Sequence, residues 1–571
     1  MLESLIYRDR PAPADWCERN LVMPPKTSGN RPGPLSFAGQ EYIREILENL
    51  RRDAVSHVYV CAAAQVCKTV VDLCAFAYMR CHEPQGTLWA LPDKGLARAF
   101  VEERFAPFIT ANPCLLGDMR AQDVRGLSIP FDSFNCNFVG VNNPGELSSR
   151  PVSFVIMDEA GKFEHRKKRE AEPQDLIEDR THGFARKKLF ITSTPSTAEQ
   201  PFWAAYHATD RQRWYVPCPH CNSYFPLEFN RQSVIWDRPS DPTAAVPVEV
   251  VRHTARYVCP RCRREIDQTC KAAMIAAGRW VAENTEHTDA ARRGYHLNAL
   301  YSAFRSWGDV AADFVLATRR AMLDPYALQN FYNSDLAIPY ELQQVRVQDE
   351  SVKALIDPSY DRGVPPVPPV MVTVTYDVHQ THQDWVLCAF AITGEQWVID
   401  WGQIAVIDDI PRHYAEVTDP YRRNGVICRG LVDSGFNTLA VYRMCMACAG
   451  EVWPSKGTPR ARGTWGQIDL GDNYPGLVLY VYSDHAQKML LYSTRIQQAR
   501  GNRLHLPRNT DQALLDGLKG QELIKKPGRR YPEWKELPND HYGDCVKLAQ
   551  VAWQVMEAYL PREESTVYHA P

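Results

Sequence analysis

The chain has 571 residues, of which 45% are hydrophobic and 23% charged, with a formal net charge of −3. That length exceeds what one hydrophobic core serves, so several domains are expected, and the balanced charge excludes a globally basic nucleic-acid binder, leaving any such contact to local patches. No apolar run approaches the roughly 18 residues of a membrane span, and the opening MLESLIYRDRPAPADW lacks a basic-then-apolar leader pattern. The 17 cysteines are spread through a large chain, unlike those of a small disulfide scaffold. The expectation is a soluble, cytosolic protein without membrane association.

Residues 1–35 carry Pro11, Pro13, Pro24, Pro25, Pro32 and Pro34 and read as an extended arm. SFAGQEYIREILENL (36–50) has apolar residues at helical spacing, and Gln40 ahead of them is a candidate for reading an adenine edge. HVYVC (57–61) predicts a strand that runs through AAAQVCKT (62–69) into the helical VVDLCAFAYMR. Strand, loop, Lys-Thr, helix is the layout of a phosphate-binding loop, in which backbone N–H groups and a helix N-terminus cradle phosphates. Gln65, Val66 and Cys67 would line it, Lys68 would reach the β/γ-phosphates and Thr69 would hold Mg²⁺. Ala62 and Cys67 stand where the motif has glycines, which makes Cys67 the departure that bears most on ATP hydrolysis.

GTLWALPD (86–93) predicts a second strand, followed by a helix over LARAFVEERFAPFI. VSFVIMDEA (152–160) is an apolar run that stops on Asp158 and Glu159. At the carboxyl edge of a parallel sheet, the first acid would hold Mg²⁺ and the second orient the attacking water. KKLFITSTP (187–195) ends on Ser193 and Thr194, hydroxyls suited to sensing a γ-phosphate. Arg150 is a candidate catalytic arginine finger or phosphate clamp, against the alternative of an ordinary surface arginine.

Two C-P-x-C knuckles, VPCPHC (216–221) and YVCPRC (257–262), supply Cys218, Cys221, Cys259 and Cys262. Such pairs predict a closed tetrahedral Zn²⁺ ribbon, structural because four thiolates leave no open position. Residues 295–340 mix aromatics with a helical pattern and are expected to pack back on the ATPase core, and DRGVPPVPPV (361–370) reads as a domain linker. Beyond it, VMVTVTYDVHQTHQDWVLCAFAITGEQWVIDWGQI (370–404) predicts a three-stranded antiparallel meander carrying Asp377, CRGLVDSG a strand tipped by Asp433, and NDHYGDCVKLAQVAWQVMEAYL a helix with Asp540 and Asp544 on one face. Acids from a first strand, a later strand and a late helix are able to converge on two divalent metals for phosphodiester cleavage.

Taken together, QVCKT, VIMDEA, FITSTPS, the two knuckles, GYHLNALYSAFRSW, NFYNSDLAIPYE, TYDV and GDCVKLA make the chain resemble the large subunit of tailed-bacteriophage terminases of the lambda-like type, over roughly residues 35–560. The resemblance implies an α/β multidomain fold: an N-terminal arm (1–35), a P-loop ATPase with a parallel sheet (36–210), a zinc-ribbon insert (211–290), a helical and aromatic segment (291–360), the linker (361–370), an RNase H-like nuclease (371–560) and a tail (561–571). It further implies an ATP-driven DNA-packaging motor that is also a Mg²⁺- or Mn²⁺-dependent endonuclease. In it Lys68, Thr69, Asp158 and Glu159 would act on ATP, Ser193 and Thr194 would couple hydrolysis to movement, and Asp377, Asp433 and Asp544 would be the nuclease carboxylates, with His379 in support. The implied partners are double-stranded DNA, a small terminase subunit, and the portal of a procapsid on which the motor forms a homo-oligomeric ring, in the host cytoplasm. Two readings compete: a nuclease whose ATPase half is inert, and a non-enzymatic zinc-ribbon adaptor.

Overall fold

The computed structural model describes residues 10–27, 32–142, 151–163, 172–238, 246–321, 326–340, 345–448, 450–458, 464–497, 504–524, 533–538, 540 and 541–557. Arg150 and the tail 561–571 lie outside the described residues. Two compact units emerge, one from residues up to 318 with 326–341, the other from 342 onward with 319–325. Among the described residues no helix is long and apolar enough to cross a membrane.

The first unit is built on a 10-stranded sheet. Its parallel core contains β1 (His57–Ala62), β2 (Thr87–Leu91), β3 (Asn135–Gly140), β4 (Phe154–Asp158), β5 (Lys188–Ser193), β6 (Gln212–Pro217) and β7 (Arg292–Leu297), in the spatial order β6-β7-β1-β5-β4-β2-β3. Every residue of β1, β2, β4 and β5 is buried, as expected of parallel strands covered on both faces, which is why each reads as a continuous apolar run. Helix α1 (Lys68–His82) follows β1 and ends at Glu83, where Pro84 disfavours further helix.

Three expectations about organisation are corrected. Residues 13–20 of the arm are helical, with Cys17 buried in the unit's core. The zinc-ribbon segment 211–290 contributes a strand, β6, to the ATPase sheet, and the segment 291–360, whose Leu300, Tyr301 and Trp307 lie in that unit's core, begins with a strand, β7, where a helical pattern was expected, pairing between β1 and β6. Its YHL is buried on both faces, so it has no period-two alternation to mark it as a strand. Finally, the Pro-rich stretch 361–370 lies inside the second unit, where Arg362 N–H donates to Asn509 Oδ1 at 2.8 Å and its guanidinium sits 4.0 Å from the Trp401 ring centre.

One ion cluster ties the first unit's sheet together. His57 Nε2 and Arg292 Nη2 lie 2.9 and 3.1 Å from Glu178 Oε1, joining β1, β7 and the helix Pro173–Asp179. The His57 hydrogen bond, against burial and with the charges of His57 and Arg292, holds the Glu178 carboxyl down at about 2. A carboxyl whose folded pKa lies below its unfolded one contributes stability above the unfolded value and loses it as pH falls through the folded one. Glu178→Gln therefore costs on the order of 2 kcal/mol near neutrality, and thermal melts at about pH 5 and about pH 2 should show its gap from the parent closing at the lower pH.

The second unit holds a 9-stranded sheet. Strands β8 (Met371–Val378), β9 (Gln383–Phe390) and β10 (Gln396–Ile404) form the antiparallel meander; β11 (Ile427–Asp433) pairs parallel to β8 on its other side and is followed outward by β12 (Val452–Thr458) and β13 (Val478–Ser483). The sheet has a core on each face. Met371 and Leu431 pack with the helix α2 (His541–Glu557), whereas Val372, Val374, Tyr376 and Val432 pack with the helices Ile410–Arg422 and Thr438–Ala447. Period-two alternation then sends the odd-numbered Asp377 and Asp433 to the α2 face.

Candidate active sites

In the first unit the loop 63–67 joins β1 to α1 and is held from three sides. Ala63 N–H donates to Leu297 O and Ala64 N–H to Ser334 O, both at 2.8 Å, and Gln40 Nε2 donates to Val66 O at 2.6 Å. Gln40, expected at an adenine edge, thus braces the loop with its amide nitrogen. Lys68 Nζ is buried and donates to Ala62 O (2.8 Å) and Ala63 O (3.1 Å). Cys67, which caps α1, has φ −159° and ψ −16°, a backbone that is neither helical nor extended, and burial pushes its thiol up to about 12. The left-handed residue of the loop is Gln65, at φ 57°.

Facing the loop, β4 and β5 place Asp158 opposite Thr192 in register. Thr192 Oγ1 donates to Asp72 Oδ2 at 2.7 Å and lies 3.4 Å from Asp158 Oδ1. Asp72, one turn along α1 from Lys68, is completely buried; burial, with the charge of Asp158 added, pushes its carboxyl well above the usual range. Asp158 is pushed to about 6 by burial and Glu159, with Lys68 and Arg104 opposing. Glu159 follows in the left-handed region at φ 59°, 2.9 Å from Lys162 Nζ. Ser193 Oγ accepts from Gly161 N–H at 2.7 Å and donates to Thr194 O at 2.8 Å, linking the segment after Glu159 directly to the Ser193-Thr194 end of β5. Asp72 and Arg104 were not singled out from sequence. Arg104 Nη1 donates to Thr69 Oγ1 at 3.3 Å, so it is the arginine that the described residues bring to the Lys-Thr pair.

The four knuckle thiols come together. Cys218 Sγ lies 3.9 Å from Cys262 Sγ, and Cys221 Sγ lies 3.9 Å from Cys259 Sγ. Four sulfurs about 2.3 Å from one ion at tetrahedral angles are about 3.8 Å apart, so the set fits Zn²⁺. Asn222 (φ 59°) and Arg263 (φ 60°) turn the chain at equivalent positions of the two knuckles. None of the 17 cysteines forms a disulfide.

In the second unit, Tyr376 opposite Val432 in the parallel β8–β11 pair sets Asp377 and Asp433 at neighbouring strand ends, and Asp544 enters from the first turn of α2. Thr375 Oγ1 donates to Cys545 O at 2.8 Å, which docks that turn on β8. Burial and then the charge of Asp377 push Asp433 up to about 6, with Asp544 adding to the rise and Lys547 opposing it. Burial and Asp544 likewise push Asp540 to about 6. Burial also opposes ionisation of Asp377, but the His379 and His541 rings, 3.0 and 3.3 Å from its Oδ2, outweigh it and hold the carboxyl at about 2. Two further groups escaped the sequence reading. Asp484 follows β13, the same apolar-run-then-acid signal as VIMDEA, and Lys547 Nζ bridges Asp484 Oδ1 (2.8 Å) and Asp544 Oδ1 (2.6 Å). Buried ionisable groups of both signs at one sheet edge are the electrostatics expected where metal-assisted phosphate chemistry is done.

Two sheets of this kind, one with a Lys-Thr loop facing an acid-tipped strand and one with carboxylates gathered under a late helix, define an ATPase domain followed by a nuclease domain. The sequence matches the family models for the phage terminase large subunit gpA ATPase domain over residues 29–280 and for the terminase large subunit gpA endonuclease domain over residues 292–564. The chain belongs to the phage terminase large subunit family. It is 24% identical over 354 residues to the terminase large subunit of Enterobacteria phage P21, a match covering 57% of this chain and 52% of that protein. The chain thus spans about half the length of this curated relative. Among solved structures it is similar to the HK97 bacteriophage large terminase (11% identity, 95% of this chain and 99% of that one, TM-score 0.35). It is likewise similar to a large terminase from a thermophilic bacteriophage (10% identity, 90% of this chain and 98% of that one, TM-score 0.30).

Proposed function

We propose that this protein is an ATP-driven motor that translocates double-stranded viral DNA into a procapsid and cuts concatemeric DNA with a metal-dependent endonuclease. The observation that carries the reading is the conjunction, in one chain, of Lys68 and Thr69 at a helix start beside Asp158 with Asp377, Asp433 and Asp544 on one face of a second sheet. The backbone of Gln65–Cys67 and the start of α1 would cradle the phosphates, with Lys68 leaving the strand-end carbonyls to reach them. Thr69 and Asp158 would hold Mg²⁺, Glu159 would orient the water, and Arg104 would sit where charge develops. Bound Mg²⁺ would supply neutralisation of the phosphate oxygens. The Gly161–Ser193–Thr194 link would report the state of Glu159 to the end of β5. In the nuclease, Asp377, Asp433 and Asp544 would hold Mg²⁺ or Mn²⁺, with Lys547 fixing Asp544 and Asp484. Zn²⁺ would occupy the four thiolates of Cys218, Cys221, Cys259 and Cys262 as a structural ion. A small terminase subunit, a portal vertex and a homo-oligomeric ring in the host cytoplasm complete the proposal.

Steady-state ATP hydrolysis with Mg²⁺ and linear duplex DNA, beside metal-dependent nicking of plasmid, tests it. Turnover and nicking together support the motor. Nicking without turnover, even with the small subunit and procapsid added, leaves the nuclease with an inert ATPase half. A Cys67→Gly variant with large turnover beside an inactive parent would support that second reading, whereas Gln65→Gly relieves a left-handed residue and gains about 1 kcal/mol of stability. ATP turnover reads the first variant and chemical denaturation the second.

A further inference from the structure

The β8–β9 hairpin, Asp377-Val-His-Gln-Thr-His-Gln-Asp384, carries an aspartate at each end and a histidine two residues in from each. Asp377 pairs with Asp384 in the antiparallel register, and Val378 with Gln383. Alternation along each strand puts His379 on the side of Asp377 and His382 on the side of Asp384, so the pairing brings all four side chains to one face. His379 Nε2 lies 3.0 Å from Asp377 Oδ2 and 3.2 Å from Asp384 Oδ2, and His382 Nε2 lies 3.2 Å from the same Asp384 Oδ2. A four-coordinate ion with N and O ligands at about 2.0–2.1 Å has ligand atoms about 3.3–3.4 Å apart, close to these separations.

Three further features favour a cation. Two carboxylates directly opposite across a strand pair repel unless a positive charge lies between them. Asp384 is 1% exposed, and its Oδ2, with both ring nitrogens 3.2 Å away, has no well-aligned hydrogen bond, and nor has His379 Nε2. One ring N–H has no way to point at Asp377 and Asp384 together, whereas an ion among the three is shared. The surroundings also hold the donors in place: Gln403 Nε2 donates to the other Asp384 oxygen, Oδ1, at 3.0 Å, and Thr381 Oγ1 lies 3.0 Å from His382 Nδ1, which leaves Nε2 as the inward nitrogen. Outer contacts of this kind orient metal ligands and select the ring tautomer.

We propose that His379, His382 and Asp384, with Asp377 or water as the fourth ligand, form a binding site for a divalent transition ion of the Zn²⁺ class, distinct from the four-cysteine set. Two imidazoles and a carboxylate suit Zn²⁺, Co²⁺ or Mn²⁺ better than Mg²⁺, which prefers oxygen and retains its water. Binding does not depend on the nuclease reading, although the two share Asp377.

Equilibrium dialysis of the full-length protein against Zn²⁺, with the bound metal counted, tests the site. Wild type and the turn control Gln380→Ala are expected to hold one equivalent more than His382→Ala, which changes a half-buried turn residue and leaves Asp377 in place. Asp433→Asn is expected to keep that equivalent while losing nicking, so failure of the hairpin site and failure of the nuclease reading give different results. In a parallel Co²⁺ titration the equivalent should appear without a thiolate charge-transfer band. Equal metal counts in wild type and His382→Ala, or a thiolate band rising with the disputed equivalent, would overturn the proposal.

Discussion

Lys68→Ala is expected to lower the ATP turnover number by about 10²–10³-fold, the usual loss when one preorganised donor to developing phosphate charge is removed. The ammonium is buried at the start of α1, beside Asp158, whose carboxyl it pulls down against burial. Its removal leaves Ala62 O and Ala63 O without this donor, at a stability cost of about 1–3 kcal/mol. A melting curve must therefore accompany the assay, and the turnover loss counts only where the variant is folded at the assay temperature. Metal-dependent plasmid nicking by the same preparation should be unchanged, because the nuclease acids belong to the other unit. Retained turnover in a folded Lys68→Ala protein would remove the phosphate-loop assignment.

Asp433→Asn should separate function from stability in the second unit. It takes one carboxylate from the proposed metal site, a loss of several kcal/mol of transition-state stabilisation, so nicking should fall by at least about 10³-fold while ATP turnover persists. Stability should move the other way. Burial and the Asp377 charge push the Asp433 carboxyl from the ordinary 3.8 to about 6. The folded state then binds the proton more tightly than the unfolded chain, and the stability this provides is lost as pH rises through about 6. At neutral pH without added divalent metal the ionised group is a net burden, and an isosteric amide relieves on the order of 1–2 kcal/mol. Thermal melts should show Asp433→Asn above the parent at about pH 7.5 and level with it at about pH 4. A variant no more stable than its parent at neutral pH would place Asp433 in a more solvated setting than the sheet edge described.

Much of both sites is visible in the amino-acid order because the signals are local. HVYVC before AAAQVCKT, VIMDEA, and CRGLVDSG each join an apolar strand to the group at its end, and two C-P-x-C knuckles bring forward four thiols able to hold a tetrahedral metal without any knowledge of the rest of the chain. The alternation in VMVTVTYDV likewise sets which face of the meander Asp377 takes. The groups that escaped are those whose role depends on distant partners. Asp72 is a helix residue like others until β5 brings Thr192 to it, and Arg104 is one charge among several until its helical segment reaches Thr69. Gln40 sits 26 residues from the carbonyl it braces. Strand β7 lacks a periodic signature because it is buried between β1 and β6, and the Pro-rich 361–370 reads as a linker although Arg362 anchors it to the second unit. What the chain order alone determined is the family, with its ATPase and nuclease domains, and it nominated the acids and thiols proposed for their chemistry, since a motif needs only neighbours in sequence. The domain limits, the arginine beside Thr69, the buried acid pair and the four-residue face of the hairpin came from long-range pairing, because burial and charge, which set what a side chain does, are properties of the packed surroundings rather than of the residue itself.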